Sequence, residues 1–275
     1  SLSFKKMINE IGTIKFYLNI KNETRRILNY EGKIETYNHH LCHLASAYYP
    51  SGFNKAIVLS LDGVGEHETG LLGIAKNKNI VSRNFFPNFP HSLGLIYSAI
   101  TFFLGWKHHC DEGIIMGLAP YGNANAKIPG KKNTYIDIFR KIIQNDKKGF
   151  KINNEWISYH EVRDKWVSDK FNHYFGKKRK PNSRINQNHI NIAAALQKRL
   201  EEIVLTNLKI IKKKYKYSKL CIAGGVGLNC SLNGKIAKSK IFKEIFIQPA
   251  SGDAGLVIGG LYLGIIKNVK KKIFN

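Results

Sequence analysis

Two junctions late in the chain restrict its architecture more than any other stretch. Leu220–Ala223 reads as a short buried strand that runs straight into Gly224-Gly225-Val226-Gly227-Leu228-Asn229. Glu244–Ile247 reads as another strand, and Pro249-Ala250-Ser251-Gly252-Asp253-Ala254-Gly255 then opens a small-residue helix over Leu256–Gly264. A strand, a glycine loop and a helix in succession make an anion site, because free backbone N–H groups and the helix dipole point at the ligand. Ahead of them, Ile192, Leu196, Leu200, Ile203, Val204, Leu208 and Ile211 trace one face of a long helix.

The middle of the chain has a different rhythm. Ala56–Leu61, Thr69–Ala75 and Ile80–Phe86 read as three strands. Tight turns join them, so they form an antiparallel meander. The first turn, Asp62-Gly63-Val64-Gly65-Glu66, has glycines that let a backbone approach a phosphate or another close ligand. Ser92–Leu104 follows with helical spacing, Leu93, Ile96, Tyr97, Ile100 and Phe103 lying on one face. Asp111–Gly122 is a glycine-punctuated loop, either a buried crossover or the wall of a pocket. Residues 123–188 read as an insertion, with a helix expected at Tyr135–Gln144. Ile11–Tyr17 fits a strand or a helix. A meander followed by helix–strand–helix–strand–helix is the α/β order of an RNase-H-like lobe of the actin/hexokinase kind, a mixed sheet flanked by helices. Such lobes come in pairs with nucleotide or metal between them.

Just before the first strand stands His39-His40-Leu41-Cys42-His43. On a helix, His39 and His43 leave the same face one turn apart. Asp62, at the carboxyl end of Ala56–Leu61, could present a third ligand. Imidazoles and a carboxylate suit a borderline divalent ion such as iron or zinc. The plain alternatives are a chance His-x-x-x-His and a hairpin Asp-Gly.

Composition narrows the partners. The 275 residues carry 44 Lys+Arg against 19 Asp+Glu, a formal charge of +25. That excess suits nucleic acid, anionic lipid or phosphorylated ligands. Lys, Asn and Ile are abundant throughout, however, and no aromatic ladder is interleaved with the lysine clusters, so a composition bias is preferred over dedicated nucleic-acid binding. Cys42, Cys110, Cys221 and Cys230 show no C-x-x-C pairing, and reduced cysteines in a cytoplasmic protein are expected. No apolar run reaches the ~18 residues of a membrane span.

Six ordered motifs carry a resemblance. They are His39-His40-x-x-His43-x-x-Ser46-Ala47, Asp62-Gly63-x-Gly65-Glu66, His91-Ser92-Leu93-Gly94-x-x-Tyr97-Ser98, Met116-Gly117-Leu118-Ala119-Pro120-Tyr121-Gly122, Ala223-Gly224-Gly225-Val226-x-Leu228-Asn229 and Gln248-Pro249-x-x-Gly252-Asp253-x-Gly255. From about His39 to about Gly264 the chain resembles the O-carbamoyltransferases of the nodulation-factor and antibiotic-tailoring type. These are similar in turn to the universal tRNA threonylcarbamoyladenosine synthases.

The resemblance implies a two-step chemistry. A separate carboxy-terminal domain would make carbamoyl adenylate from ATP and carbamoyl phosphate, and the lobed domain would pass the carbamoyl group to a hydroxyl of a small-molecule or sugar acceptor. His39, His43, Asp62 and Asp253 would hold a divalent metal, iron foremost. Asp62, His39 and His43 would be catalytic. Gly63, Gly65, Gly224, Gly225 and Gly252 would line the adenylate phosphate, and Asn229 could bond the nucleotide. His40 would orient its neighbours or face the acceptor. The family's opening segment and its adenylate-forming domain are not recognised, so a fragment inactive on its own is expected. In that reading residues 1–54 are the tail of a first lobe, and 55–275 are a second lobe with its insertion at about 123–188. The competing readings are a threonylcarbamoyl transferase acting on tRNA and a non-catalytic nucleotide- or nucleic-acid-binding remnant.

Overall fold

The computed structural model describes residues 18–147, 149–162 and 164–274; Ile11–Tyr17 lies outside them. The chain divides into two compact units, Ser1–Thr36 and Tyr37–Asn275. In the first, a helix covers 18–28. The second contains a sheet of order β3-β2-β1-β6-β7, made of β1 (Lys55–Leu61), β2 (Gly70–Lys76), β3 (Asn79–Arg83), β6 (Lys219–Ala223) and β7 (Glu244–Ile247). A separate hairpin pairs β4 (Ile143–Asp146) with β5 (Gly149–Ile152).

The large sheet is mixed. β1, β2 and β3 form the antiparallel meander, with Leu61 opposite Gly70 and Leu72 opposite Arg83. β1 then runs parallel to β6, and β6 parallel to β7. β1 is therefore central, and apart from Lys55 every residue in it is buried. Its side chains alternate between two cores, as the two-residue period of a strand requires. Ala56 and Val58 join Leu44, Ala47, Tyr48, Cys221 and Ala223 under the His39–Tyr48 helix. Ile57, Leu59 and Leu61 join Ile96, Ile100, Leu196, Leu220 and Ile222 on the opposite face. A strand covered on both faces reads as a continuous apolar run. β3 closes one edge with mostly exposed residues, including Asn79, Ser82 and Arg83, which discourages further pairing.

Two of the helices match their sequence patterns closely. Leu93–Phe103 is capped by Ser92, whose Oγ accepts from the Leu95 N–H. The long helix runs from Gln187 to Tyr215 and is the spine of the second face. The C-terminal helix is longer than expected, Leu256–Phe274 instead of Leu256–Gly264. Asp111–Gly122, read as a glycine-punctuated loop, is mostly helical: Glu112–Leu118 is an α-helix and Ala119–Tyr121 a 3-10 turn, and Glu112, Gly113 and Met116 line a pocket. Gly113 and Gly117 fall a turn apart with nothing near the positions their missing Cβ atoms would take, so two glycines lower the helical signal there without marking a bend.

Residues 123–188 pack into the same core. Tyr135–Ile142 is a helix, Asp169–Phe175 another, and Phe139, Phe150, Phe171 and Phe175 are all buried. At about 1.5–3 kcal/mol for each fully buried large apolar side chain, this layer is a substantial part of the core. Polar anchors fix it to the long helix. The Arg199 Nε donates to the Ile143 carbonyl at 2.8 Å, and the Asn191 Oδ1 accepts from the Asn123 N–H at 2.8 Å. Among the described residues no helix is long and apolar enough to cross a membrane, and all four cysteines are free.

Candidate functional site

The His39–Tyr48 helix begins at Asn38, whose Oδ1 accepts from the Leu41 N–H at 2.9 Å. The Asn38 amide donates to Glu66 and Glu68, and Glu66 Oε1 accepts from the His39 N–H at 3.2 Å. Two carboxylates thus face the positive end of this helix and hold it against the turn after β1. One turn apart, His39 and His43 point at the carboxyl end of the sheet. His40 points elsewhere. It is fully buried, with Nε2 2.9 Å from the Glu68 carbonyl and Nδ1 2.8 Å from Ser60 Oγ. A carbonyl only accepts, so Nε2 carries the proton and Nδ1 accepts from the Ser60 hydroxyl. Burial holds His40 below the usual histidine range. Both its nitrogens are occupied, so it orients the helix and does not face an acceptor.

β1 ends at Leu61 and delivers Asp62 into the same space. Asp62 Oδ1 accepts from the N–H groups of Gly63 (2.7 Å) and Gly225 (3.0 Å), so it spans the ends of β1 and β6. Its Oδ2 lies 2.9 Å from His43 Nε2 and 3.0 Å from His39 Nε2. Those two nitrogens are 3.1 Å apart. Asp253 brings Oδ1 to 3.6 Å from His43 Nε2 and 3.7 Å from His39 Nε2. The four donor atoms all lie within 4.8 Å of one another. Asp253 is 74 % exposed while His43 is fully buried, so the group is closed on the helix side and open on the Asp253 side.

The electrostatics follow from this contact. Burial opposes a charge on Asp62, but its hydrogen bonds to His39 and His43 outweigh that and hold the carboxyl well below the usual range. The hydrogen bond to Asp62 raises His39 against the opposing effect of burial. Two imidazole nitrogens and two carboxylates at this spacing must share either protons or a cation. The donor set of two nitrogens and two oxygens fits a borderline divalent ion.

Beside the group lies a cavity of about 580 Å³. Asp62, Gly63, Gly225, Asn229, Gly252 and Asp253 line it; Gly65 and Gly224 do not. A Cβ on Gly65 would stand 3.0–3.1 Å from His39 and His40. Gly224, at φ +88, packs so tightly that a Cβ would lie 2.2 Å from the Leu61 carbonyl oxygen. These two glycines let elements close on each other. Four of the glycine N–H groups expected to be free for an anion are already committed: Gly63 and Gly225 to Asp62, Gly65 to the Glu68 carbonyl, Gly224 to the Ser251 carbonyl. Asn229 is committed too. Its amide pairs reciprocally with Gln197 at 2.8 and 3.0 Å, and its Oδ1 also caps the Cys230–Lys238 helix through the Leu232 N–H.

Several wall residues were not singled out one by one from the sequence. Gly94 approaches so closely that a Cβ would meet the Gly63 nitrogen at 2.6 Å, and Ser92 Oγ donates to the carbonyls of Asp62 and Gly63. The N-terminus of Leu93–Phe103 is therefore fastened to the Asp62 turn. Further along it, Ser98 Oγ donates to Glu112 Oε1 at 2.5 Å, and the same oxygen accepts from the His109 N–H at 2.6 Å. The local hints were the motif that holds Ser98 and the glycine-punctuated stretch Asp111–Gly122 that holds Glu112.

Residues 4–261 match the family model described as the carbamoyltransferase N-terminus. An uncharacterised Synechocystis protein, sll1178, is 38% identical over 224 residues, 80% of this chain and 35% of that protein. The nodulation protein NolO of Bradyrhizobium diazoefficiens is 34% identical over 222 residues, covering 81% and 37%. The uncharacterised Methanocaldococcus jannaschii protein MJ1058 is 32% identical over 285 aligned positions, covering 96% and 42%. The chain thus spans little more than a third of the length of the first two. Among solved structures, full-length HypF in a phosphate- and nucleotide-bound form is similar at a TM-score of 0.45 and 13% identity, covering 88% of this chain and 44% of that one. With its mixed α/β sheet, its ordered motifs and a match that covers nearly its whole length, the chain belongs to the carbamoyltransferase N-terminal family.

Proposed function

We propose that this chain carries the transfer site of an O-carbamoyltransferase, which passes a carbamoyl group from carbamoyl adenylate to a hydroxyl of a small-molecule or sugar acceptor. The observation that carries the reading is the convergence of His39, His43, Asp62 and Asp253 at the edge of a cavity large enough for a nucleotide-sized ligand. The sheet order supports an RNase-H-like lobe of the actin/hexokinase kind. The four side chains would hold a divalent ion, iron by preference. When bound, such an ion supplies Lewis-acid polarisation of a carbonyl or phosphoryl oxygen.

The chain's own residues do the positioning. Asp62 is locked by two backbone N–H groups, so its second oxygen stays aimed at the histidines. Gly63, Gly225 and Gly252 leave the cavity wall without side chains where a phosphate would pass. Asn229 shapes that wall through Gln197, and any contact with a nucleotide would come from surfaces other than its occupied amide. Apolar residues such as Leu93, Val226 and Leu228 restrict water on the remaining side.

The test separates binding from turnover. The purified chain should take up about one divalent ion, measured by elemental analysis, and should bind a stable sulfamoyl analogue of carbamoyl adenylate in an ion-dependent way. His43→Ala and Asp253→Ala should lose the ion, and Asp62→Ala should lose both. With a carbamoyl-adenylate-forming enzyme added, the carbamate product on a hydroxyl acceptor should fall by orders of magnitude in Asp62→Ala. Analogue binding that ignores the ion and Asp62 would overturn the reading.

A further inference from the structure

A second pocket, of about 150 Å³, lies on the same face of the Leu93–Phe103 helix as the cavity. That helix contributes Ser98 to the cavity and, one turn later, Phe102 to this pocket. One helical turn is ~5.4 Å, about the length of a sugar ring. The two spaces are joined by rings. His109 lines the cavity, and its ring centre is 5.4 Å from that of Trp166. His108 lies 4.4 Å from Trp166 and 5.5 Å from Phe102. Trp166 and Phe102 are the apolar wall of the second pocket.

Around that wall stand Asp164, Lys165, Asn172 and Lys178, and Lys165 is already paired with Asp169, its Nζ 3.1 Å from the carboxylate. The Lys178 Nζ lies over the Phe102 ring, 3.0 Å from its centre, with no carboxylate at ion-pair distance among the described residues. Lys178 is exposed on its outer side, and the water it loses where it meets the ring lowers its affinity for a proton below the usual lysine range. The Tyr159 hydroxyl donates to the Pro90 carbonyl at 2.8 Å, and the Ser158 N–H to the Trp166 carbonyl at 3.2 Å, so the segment that presents Trp166 is tied at both ends.

This chemistry is selective. A purely apolar ligand would strip water from Asp164, Asn172 and Lys178 without replacing it. A phosphate would meet the Asp164 carboxylate. A saturated ring with hydroxyls around its edge satisfies the groups that Asp169 does not already occupy: its C–H face lies on an aromatic ring, and its hydroxyls find the Asp164 carboxylate as acceptor, the Asn172 amide and the Lys178 ammonium as donor. The volume is well below the ~300–1,000 Å³ of a complete ligand pocket, so it accommodates a single ring whose continuation lies elsewhere.

We propose that the Phe102–Trp166–Lys178 pocket is a subsite for one sugar ring of the acceptor, adjacent to the ring whose hydroxyl enters the cavity. The word acceptor rests on the transfer reading above; binding of the ring does not. The test is a screen of the purified chain against immobilised mono- to tetrasaccharides, followed by calorimetric titration of those retained. Glycans of two or more rings should bind at least tenfold more tightly than their single-ring components. Trp166→Ala and Lys178→Gln should each weaken them at least tenfold, and Trp166→Phe should restore most of the loss. Circular dichroism and the Tm of Lys178→Gln should match those of the parent. No glycan bound, or equal binding by the parent and Lys178→Gln, overturns the subsite whatever the ion and adenylate experiments give. Trp166-dependent glycan binding without ion or analogue binding would keep the subsite and overturn the transfer reading.

Discussion

Asp62 and His39 share one hydrogen bond, and their shifts have opposite pH consequences. Asp62 is held below its ordinary value of 3.8, so its contribution to stability is present above that value and fades as pH falls toward the folded one. His39 is raised above 6.5, so its contribution is full below 6.5 and is lost as pH rises through the raised value. Chelator-treated protein should therefore gain most from this group between about pH 4 and about pH 6.5. Thermal melts across pH should show both slopes, and Asp62→Asn should flatten them; slopes unchanged in that variant would refute the assignment. Added divalent ion competes with protons for the imidazoles, so its stabilisation should grow above that window. His39, His43 and Asp62 were readable because helical spacing and a strand end are local patterns. Asp253 came only through resemblance, since nothing local says that a residue after β7 returns to the first histidines. At Gly225 the expected free N–H is taken for a related reason: its partner, Asp62, is 163 positions away.

At the scale of elements, the His39–Tyr48 helix is held between the sheet and the C-terminal helix by small residues. A Cβ on Gly259 would stand 1.9 Å from the Cys42 carbonyl oxygen. Gly259→Ala should force the two helices apart at a cost of about 1–3 kcal/mol, typical of overpacking. Melting should show a lower Tm, and elemental analysis a weaker hold on the ion, because the histidines move with their helix. Gly260→Ala meets nothing within 4 Å and should be neutral or stabilise by about 0.5–1 kcal/mol through helix propensity. Equal melting of the two variants would show that the close approach is unimportant. Most strands and helices were legible because each has one dominant local pattern, a continuous apolar run for β1 and a period of 3.6 for the long helix. β3 proved shorter than read, ending at Arg83, because Phe85 and Phe86 are apolar for core packing and not for pairing. The 123–188 layer stayed obscure since its apolar residues come from short pieces. No single window shows that Phe139, Phe150 and Phe171 enter one core.

For the whole molecule, a charge of +25 sets long-range behaviour. If the lysines reflect composition bias, tRNA and duplex DNA should bind weakly, without sequence preference and with affinity falling steeply as salt rises. Filter binding at low and physiological salt reads this directly. A tRNA complex that survives physiological salt would favour the tRNA-modifying alternative. The sheet order has a further consequence, in time. β1 to β3 emerge together, but β6, which covers the other edge of β1, is encoded some 160 positions later. At the roughly 5–20 residues per second of synthesis, the central strand waits about ten to thirty seconds with one row of its backbone donors and acceptors open. During that interval the nascent meander is a template for any passing strand, and its safe passage depends on the ribosome's surroundings more than on its final contacts.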